Sequence, residues 1–366
     1  MDPIYNFTIK NKLRLKSYHK KILIADRSLP EANFINSIAA YILNDVNKFS
    51  ADVITDVRKK NIYLNMYRAF NINRFFFLSI KYNYLNFILF IKSILYSMYY
   101  MLKIFLFGSD WFIKKFKHKD IYFGDLFYDT YAKLNLNYTN KNLLNFDFYR
   151  ILIIGILKIN LIEKILNKND YNLVLSSTHT FTSVSALTAR LALKKKIKVV
   201  SLISNIFKSY DDIEVHRRGQ NNIKKNDILS LNKRKVLKII NLYLQKRLNG
   251  KINERDVQHA FYKKKKINNK KELFKHLLIK RSKKYKKLGL LAVHSFHDLS
   301  YAHGDMLFLD YYDHFTKTID IIKKSKDTFW LVRPHPTSKL YRGSNIVKDY
   351  IKKIKSDNLK VVDESV

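Results

Sequence analysis

The sequence predicts an α/β protein built from two Rossmann-like lobes, and three observations lead to this prediction. Short apolar runs rich in Val, Ile and Leu end in polar residues, as the strands of buried parallel sheets do. Stretches with a helical spacing of apolar residues separate these runs, which is the alternation typical of βαβ units. The chain has 366 residues, of which 47% are hydrophobic, so it can hold two cores and is too apolar for global disorder.

The first lobe is predicted to contain strands that alternate with helices. The predicted strands cover residues 21–26, 52–57, 120–123, 172–176 and 198–204. Helices are predicted to begin near residues 28–31 and to cover residues 182–193. The loop Ser177-Thr178-His179-Thr180 lies between a strand and a helix. It binds an anion through backbone N–H groups, or it caps the helix with a side chain, and the sequence leaves both alternatives open.

The second lobe is predicted to be a βαβαβ run. Its strands cover residues 288–293, 328–332 and 360–362, and its helices cover residues 306–324 and 344–356. We therefore divide the chain into three parts. Residues 1–215 form the first Rossmann-like domain, with an apolar helical insert at about 75–113; residues 216–287 form a basic helical connector; and residues 288–366 form the second domain.

The strand at residues 328–332 runs into Arg333-Pro334-His335-Pro336, and two of the four prolines in the chain flank the histidine. Proline fixes φ and lacks an N–H, so the two prolines end the strand and stiffen the loop. Ligands of open α/β sheets bind beyond the carboxyl ends of the strands, where this loop lies. A guanidinium and an imidazole at that position suit a phosphate oxygen. The alternative is an ordinary strand end with a buried, hydrogen-bonded histidine.

Polar residues also follow the strand at residues 288–293, in the segment His294-Ser-Phe-His297-Asp298. Five of the eleven histidines lie between His294 and His335. The pair of histidines with Asp298 raises the question of a metal site, but a third ligand at a recognised spacing is lacking. We therefore predict no metal and a loop whose polar groups face the ligand.

The order of these motifs resembles that of bacterial capsule and surface-polysaccharide biosynthesis proteins. The likeness rests on His294-Ser-Phe-x-Asp298, then Leu307-Phe-x-Asp310-Tyr-Tyr, then Arg333-Pro-His-Pro. A further segment, Gly124-Asp-Leu-Phe-Tyr-Asp129-Thr-Tyr, resembles one found in some of the same proteins. Those proteins are GT-B-fold glycosyltransferases, and their His-Pro motif is shared with polysialyltransferases and teichoic-acid glycerophosphotransferases.

The resemblance implies a nucleotide-activated sugar as the donor substrate and no cofactor. It places Arg333, His335, His294, His297 and Asp298 in the donor site, with His335 on the phosphates. It makes the first lobe the acceptor side, with a lipid-linked or polysaccharide acceptor. Members of the family continue well past the His-Pro loop, so the resemblance also implies that the second lobe here is incomplete and the chain truncated.

The candidates for the catalytic base are Asp125 and Asp129. An inverting glycosyl transfer needs a carboxylate or an imidazole that accepts the proton of the acceptor hydroxyl. Both aspartates lie in the resembling segment of the acceptor-side lobe. For Asp125 the alternative is a helix cap that follows Gly124.

The chain carries a net charge of +39, and much of it lies in one segment. Residues 216–287 contain 25 Lys and Arg but only four Asp and Glu. No helix-turn-helix, zinc-finger, RRM or KH signature accompanies them, so a nucleic-acid partner is disfavoured. An anionic membrane surface and a plain solvated helical face both stay open as interpretations of the basic segment.

The absence of cysteine fits a reducing compartment. Residues 1–21 lack the apolar core of a signal peptide, so we expect a cytoplasmic protein that is peripheral on the inner face of the cell membrane.

The apolar insert is the second feature that points to a membrane. No acidic residue occurs from Val57 to Ser109. Within residues 75–107, Lys81, Lys92 and Lys103 are the only charged residues that interrupt the apolar runs. A spacing of 11 places these lysines within about 40° of one another on a helix. We predict one or two helices that lie at the membrane interface, with a spanning helix and a buried core helix as alternatives.

The sequence thus favours a glycosyltransferase that extends a capsule or surface polysaccharide at the cytoplasmic membrane face. Two alternatives stay open. One is a CDP-alditol phosphotransferase of the teichoic-acid type, and the other is a non-catalytic remnant that binds membranes or nucleic acid through its basic residues.

Overall fold

The computed structural model describes residues 15–26, 29–57, 64–78, 84–135, 139, 142–203, 206–219, 232–249, 251, 272, 275, 285–296, 298–301, 304, 306–335 and 344–362. The chain divides into two compact units, each with its own parallel sheet. Unit 1 comprises Met1–Tyr131, Lys141–Asn222 and Tyr301–Asp305. Unit 2 comprises Ala132–Asn140, Ile223–Ser300 and Met306–Val366. The predicted α/β class with two Rossmann-like units is confirmed.

Unit 1 contains a six-stranded sheet and a two-stranded one. The strands are β1 (Lys20–Ala25), β2 (Phe49–Thr55), β3 (Phe75–Phe77), β4 (Lys117–His118), β5 (Ile121–Tyr122), β6 (Leu173–Ser176), β7 (Lys198–Ile203) and β8 (Ile206–Tyr210). The large sheet has the order β3-β2-β1-β6-β7-β8, and only β8 runs antiparallel to its neighbour. Chain order reverses between β1 and β6. Open α/β sheets bind ligands at such a topological switch point, outside the carboxyl ends of the strands.

The helices of unit 1 are α1 (Pro30–Asn47), α2 (Asn65–Ala69), α3 (Tyr84–Lys115), α4 (Gly124–Asn135), α5 (Phe146–Lys168), α6 (Val184–Lys194) and α7 (Ile213–Arg217). Three of them, α5, α6 and α7, begin at a residue whose side chain caps the helix. Pro30 starts α1 with its φ already set for a helix. Asn145 caps α5 by accepting from the amide of Phe148, and Ser183 caps α6 by accepting from that of Ala186.

The core of unit 1 is centred on β1. The side chains of Ile22, Leu23 and Ile24 are fully buried, because β1 has a neighbour on each edge and is covered on both faces. This burial explains why the strand reads as a continuous apolar run rather than an alternating one. Tyr67 and Phe70, at the short helix α2, close the core below β1 and β2.

Unit 2 contains a three-stranded parallel sheet with the order β11-β10-β9. Its elements are α8 (Lys233–Leu248), β9 (Lys287–Ala292), α9 (Tyr311–Ile322), β10 (Thr328–Arg333), α10 (Ser344–Ile354) and β11 (Leu359–Val361). One face of the sheet, with Val332, packs against Phe315 and Ile319 of α9 and Val347 of α10. The other face is more open, since Leu290 of β9 is 61% exposed.

Three local predictions differ from the structure. Residues 75–77, which the sequence placed in the helical insert, form the edge strand β3 instead. Three consecutive phenylalanines are compatible with a strand as well as with a helix, because aromatic residues are common in strands. The helix predicted at residues 306–324 begins only at Tyr311, because Asp310 is extended and caps it. Helix α5 was not predicted at all. His297, Pro336 and most of the predicted basic connector lie outside the described residues.

Candidate functional site

The first candidate site lies at the carboxyl edge of the sheet of unit 2. His294, two residues after β9, stacks on the ring of Tyr311 at the start of α9, with ring centroids 4.1 Å apart and planes 19° apart. The ring of His335, two residues after β10, lies 5.5 Å from that of His294. The two motifs that the sequence singled out therefore meet, since parallel neighbouring strands end at the same edge. We call His294, Tyr311, Arg333 and His335 the donor-site cluster.

Backbone contacts hold the two loops of this cluster together. The amide of Val293 donates to the carbonyl of Arg333 at 2.8 Å, which extends the β9–β10 pairing to the last strand residue. Pro334 is buried, so the proline anchors the loop and leaves His335 half-buried at its tip. The ring Nδ1 of His294 lies 3.2 Å from the carbonyl oxygen of Ser295. These contacts limit the positions that both imidazoles can adopt.

The N-terminus of α9 lies beside the cluster, because Tyr311 is the first residue of that helix. Asp310 is buried and caps the helix by accepting from the amide of Asp313 at 2.7 Å. A second oxygen of Asp310 accepts from the hydroxyl of Thr139 at 2.8 Å. The Asp-Tyr-Tyr part of the motif thus builds a helix start, where the helix dipole favours a bound anion.

Arg333 has a guanidinium that its surroundings do not fully satisfy. Its Nε is buried and has no hydrogen-bond partner among the described residues. A buried, unpaired N–H group of this kind has a free-energy cost unless a ligand or water accepts from it. Arg333 therefore has one guanidinium N–H at the end of β10 that lacks an acceptor among the described residues.

Of the other two predicted donor-site residues, only Asp298 is among the described residues, and it makes no described contact with the cluster. His297 lies outside the described residues. Asp298 is exposed, and its carboxylate accepts from the amide of Leu299 at 2.9 Å. Within the part of the chain that the structure describes, no group of three His, Asp or Glu residues is arranged to hold a metal ion.

The second candidate site is the switch point of unit 1, where a buried polar network follows β1. The carboxylate of Asp26 accepts from the hydroxyls of Thr55 at 2.7 Å and Tyr67 at 3.1 Å. Burial, followed by the nearby charge of Asp26, raises the pKa of Tyr67 well above its ordinary value. Asn36 of α1 donates to Ser177 at 2.9 Å, while its own side-chain oxygen is buried without a partner among the described residues.

The hydroxyl-rich loop after β6 does not present free amides to an anion. The amides of Ser177 and Thr178 both donate to the hydroxyl of Ser185, at 2.8 and 3.3 Å. The amide of Thr182 donates to the hydroxyl of Thr130 at 2.8 Å. Of the two alternatives that the sequence left open, the side-chain contacts favour the capping one, which makes the loop a rigid wall of the switch point.

Asp125 forms a buried ion pair. Its two oxygens accept from both terminal nitrogens of Arg190 at 2.7 and 2.6 Å, and both side chains are almost completely buried. Arg190 also donates to the carbonyl of Tyr122 at 2.7 Å. A carboxylate with both oxygens on a guanidinium has neither oxygen available for an acceptor hydroxyl. The geometry therefore gives Asp125 a structural role, that of anchoring α4 to α6.

Asp129, one turn further along α4, has a different environment. Both of its oxygens lie 3.3 Å from the backbone nitrogen of Tyr301, and the ring of Tyr301 packs edge-on against that of Tyr128. The segment Tyr301–Asp305 thus belongs to unit 1, although it follows the histidine-rich loop in the sequence. Sequence reasoning missed this partner, because a backbone donor carries no residue signal.

A third buried cluster lies between β8 and α6, around His216. Its side chain is fully buried, and neither ring nitrogen has a hydrogen-bond partner among the described residues. Burial, followed by the charges of Arg190 and His179, lowers the pKa of His216 well below its ordinary value, so the ring is neutral. The ring of Tyr210 packs edge-on against it at 5.0 Å.

Comparisons with known proteins add little to this geometry. No protein-family model matches the chain, and no curated protein matches it. Among solved structures, a UDP-GlcNAc 2-epimerase from Neisseria meningitidis bound to UDP-GlcNAc is similar at 14% identity and a TM-score of 0.28, over 94% of this chain and 71% of that chain. Another UDP-N-acetylglucosamine 2-epimerase is similar at 11% identity and a TM-score of 0.26, over 95% and 69% of the two chains. At these scores the likeness carries no argument, and the capsule-protein resemblance stays a prediction.

Proposed function

We propose that this chain is a glycosyltransferase that moves a sugar from a nucleotide-activated donor to a growing capsule or surface polysaccharide at the inner face of the cell membrane. The observation that carries the proposal is the donor-site cluster of unit 2. Two imidazoles and a tyrosine ring lie together at the carboxyl edge of a parallel sheet, beside a helix N-terminus, and β10 ends there in Arg333, whose guanidinium Nε is buried without a partner among the described residues.

The chemistry of the cluster suits a nucleoside diphosphate. The Arg333 fork can donate two parallel hydrogen bonds to phosphate oxygens, and an imidazole N–H of His335 can donate a third. Negative charge grows on the diphosphate as the glycosidic bond breaks, so donors placed there bind the transition state more tightly than the ground state. The stacked pair of His294 and Tyr311 provides a flat surface of the kind that packs against a base or a sugar.

For the catalytic base we propose Asp129 rather than Asp125. Asp125 has both of its oxygens on Arg190, whereas both oxygens of Asp129 lie 3.3 Å from the backbone nitrogen of Tyr301, at the long end of the hydrogen-bond range. The acceptor is a lipid-linked or polysaccharide hydroxyl, and the polar network around Asp26 at the switch point is its proposed surroundings. A lipid-linked acceptor fits a chain whose net charge of +39 attracts anionic headgroups.

Calorimetry with the full chain tests the donor site directly. UDP, GDP, CDP and CMP are titrated into the wild type, His335→Ala, Arg333→Lys and the control His19→Ala. His19 is an exposed histidine of unit 1 that lies just ahead of the amino end of β1. We expect one nucleotide to bind the wild type and the control equally and the two cluster variants at least tenfold more weakly, since each loses about 1.4 kcal/mol or more. Equal affinity in all four proteins would exclude the cluster as the donor site.

Donor profiling separates the proposed activity from its alternatives. Membranes serve as the acceptor source, and UDP-, GDP- and CMP-sugars are compared with CDP-glycerol. Transfer of a sugar with release of a nucleotide supports the glycosyltransferase. Release of CMP from CDP-glycerol supports the phosphotransferase, because the same phosphate-binding groups serve both reactions. Binding of no nucleotide, together with salt-sensitive binding to vesicles or DNA, supports the non-catalytic alternative.

A further inference from the structure

Helix α3 turns its large apolar side chains away from unit 1. Leu95, Leu102, Phe105 and Leu106 are each 56% exposed or more. The other large apolar residues exposed on this helix are Phe87, Ile88, Ile91, Tyr96, Met98, Tyr99 and Phe107. Residues 86–115 are long and apolar enough to cross a membrane by length and composition, yet only 22% of their most apolar stretch is buried. Such a continuous surface is larger than a soluble monomer normally exposes.

The side of α3 that faces the protein carries small and polar residues in its first half, followed by the buried apolar side chains of Tyr100 and Ile104. Ser93 and Ser97 are fully buried, and Asn86 is nearly so. Asn160 of α5 donates to the hydroxyl of Ser93 at 3.4 Å, and the hydroxyl of Ser97 donates to the carbonyl of Ser93 at 2.7 Å. Soluble amphipathic helices carry polar residues on their outward side, whereas α3 carries large apolar ones there. Small residues and hydroxyls on the packed side are the pattern of helices whose other side meets lipid.

The two described lysines in the middle of α3 lie at one margin of the apolar surface. At about 100° per residue, Lys92 and Lys103 are about 20° apart and roughly 60–80° from the centre of the surface at Leu95. The ammonium of Lys103 lies 4.7 Å from the ring centroid of Tyr99 and 5.6 Å from that of Trp111. Lysines and amphipathic aromatic rings grouped at a margin suit the headgroup layer, where the ammonium meets phosphate and the rings meet the acyl boundary.

The packing of α3 also decides between crossing a membrane and lying in it. One side of the helix packs along α5, which itself contributes Phe148, Leu152 and Ile156 to the buried interior of unit 1. A helix held along its length against a sheet-containing unit can expose only its outer side to lipid. The non-helical backbone at Gly108 (φ 82°, ψ 165°) breaks the helix near its end, which also argues against a continuous span.

We infer that α3 lies in the plane of one leaflet of a lipid bilayer, with its outward surface among the acyl chains and Lys92 and Lys103 at the headgroups. Binding is therefore driven mainly by apolar burial and resists salt, in contrast to adsorption through the basic connector alone. A second copy of the chain is the less suitable occupant, because an antiparallel pair of such helices would bring their lysine margins together. The inference extends the proposed membrane location but rests only on α3 and α5, so it stands or fails independently of the donor site.

Tryptophan fluorescence tests the insertion, because the chain has two tryptophans, one in each unit. Trp330→Phe leaves Trp111, whose ring packs 5.7 Å from that of outward-facing Phe107. Trp111→Phe leaves Trp330, which packs in the core of unit 2. Vesicles brominated near the top of the acyl chains should quench Trp111 and leave Trp330 unchanged. Equal quenching of both, or of neither in vesicle-bound protein, would overturn the inference.

Flotation with phosphatidylcholine vesicles, with and without anionic phosphatidylglycerol, at low and high salt, tests the driving force. The protein should float with both vesicle types and stay bound at high salt. The variant Leu102→Glu/Phe105→Glu should lose roughly tenfold or more in partitioning, because charge replaces two buried apolar groups. The control Leu307→Glu/Ile321→Glu changes two residues of unit 2 that are 99% and 72% exposed, and it should bind like wild type. Circular dichroism verifies that both variants fold.

Two outcomes would contradict insertion. Binding only to anionic vesicles, with full release at high salt, would mean adsorption through basic residues. A monodisperse dimer by light scattering, with no flotation, would mean that a second copy covers α3.

Discussion

The ion pair between Asp125 and Arg190 makes a quantitative prediction that also decides what Asp125 does. Both side chains are almost completely buried, and three hydrogen bonds hold the guanidinium, two to the carboxylate and one to the carbonyl of Tyr122. Asp125→Asn leaves a buried guanidinium without its counter-charge, and Arg190→Met leaves a buried carboxylate. Breaking such a pair from one side costs about 3–5 kcal/mol. For a unit of this size, that lowers the melting temperature by roughly 6–20 °C.

Urea denaturation followed by circular dichroism measures this loss. The double variant Asp125→Asn/Arg190→Met should be less destabilised than the sum of the two single variants by roughly 0.5–3 kcal/mol, since it leaves neither charge unpaired. The control is Asp110→Asn, which removes an exposed pair with Lys114 at 2.8 Å. An exposed pair contributes little, so we expect a change below about 1 kcal/mol.

The turnover of the same variants assigns the role of Asp125. If it is structural, sugar transfer per folded molecule in Asp125→Asn should stay within a few fold of wild type. A general base would instead lose about 10²–10⁴. Single variants that each cost less than about 1 kcal/mol would refute the buried pair. Normal stability with a loss of turnover in the general-base range would show that Asp125 is the base after all.

Three further predictions concern the donor site, a buried histidine and a close backbone contact. His335→Ala should lower transfer by roughly 10²–10³ with the fold intact, and Arg333→Lys should also lower it, because an ammonium cannot replace the two-pronged fork. Burial lowers the pKa of His118 to about 4, so the unfolded state binds more protons than the folded state between pH 4 and 6.5. His118 should therefore contribute a fall in stability of about 2 kcal/mol from pH 7 to pH 5, measured in urea melts as the difference between wild type and His118→Gln in how far stability falls over that range. Gly124→Ala should destabilise unit 1 by about 1–3 kcal/mol in urea melts, because a Cβ there would meet the carbonyl oxygen of Phe112 far inside van der Waals contact.

Each of these has an outcome that contradicts it. Wild-type transfer in His335→Ala would make that histidine structural. A stability that is flat between pH 7 and pH 5, or equally pH-dependent in His118→Gln, would mean that His118 titrates normally in the fold. A Gly124→Ala protein as stable as wild type would mean that α4 can move away from α3. The control for that last variant is Gly108→Ala, where a Cβ meets open space and only the backbone strain of φ 82° remains.

Several features of the fold could be predicted from the sequence, because they depend on residues that are neighbours along the chain. Buried parallel strands need continuous apolar runs, so β1, β6, β7 and β10 were recognisable within one or two residues. Proline ends a strand by its own covalent geometry, which placed His335 in a stiff loop after β10. Parallel order then brings neighbouring strand ends to one edge, and His294 and His335 meet there.

Other features depended on partners that are distant in the sequence, and only the tertiary structure decided them. Asp125 had the same local pattern as a base or a cap, and it is Arg190, 65 residues later, that makes it a structural ion. The apolar insert was predicted to form one or two interfacial helices, with a core helix and a spanning helix as alternatives, because composition does not say which side of a helix is covered. Packing against α5 buried Ser93 and Ser97 and left Leu95, Leu102, Phe105 and Leu106 outside. A side chain's type states which contacts it can make, but only the fold determines which partner reaches it and whether water or lipid does so instead.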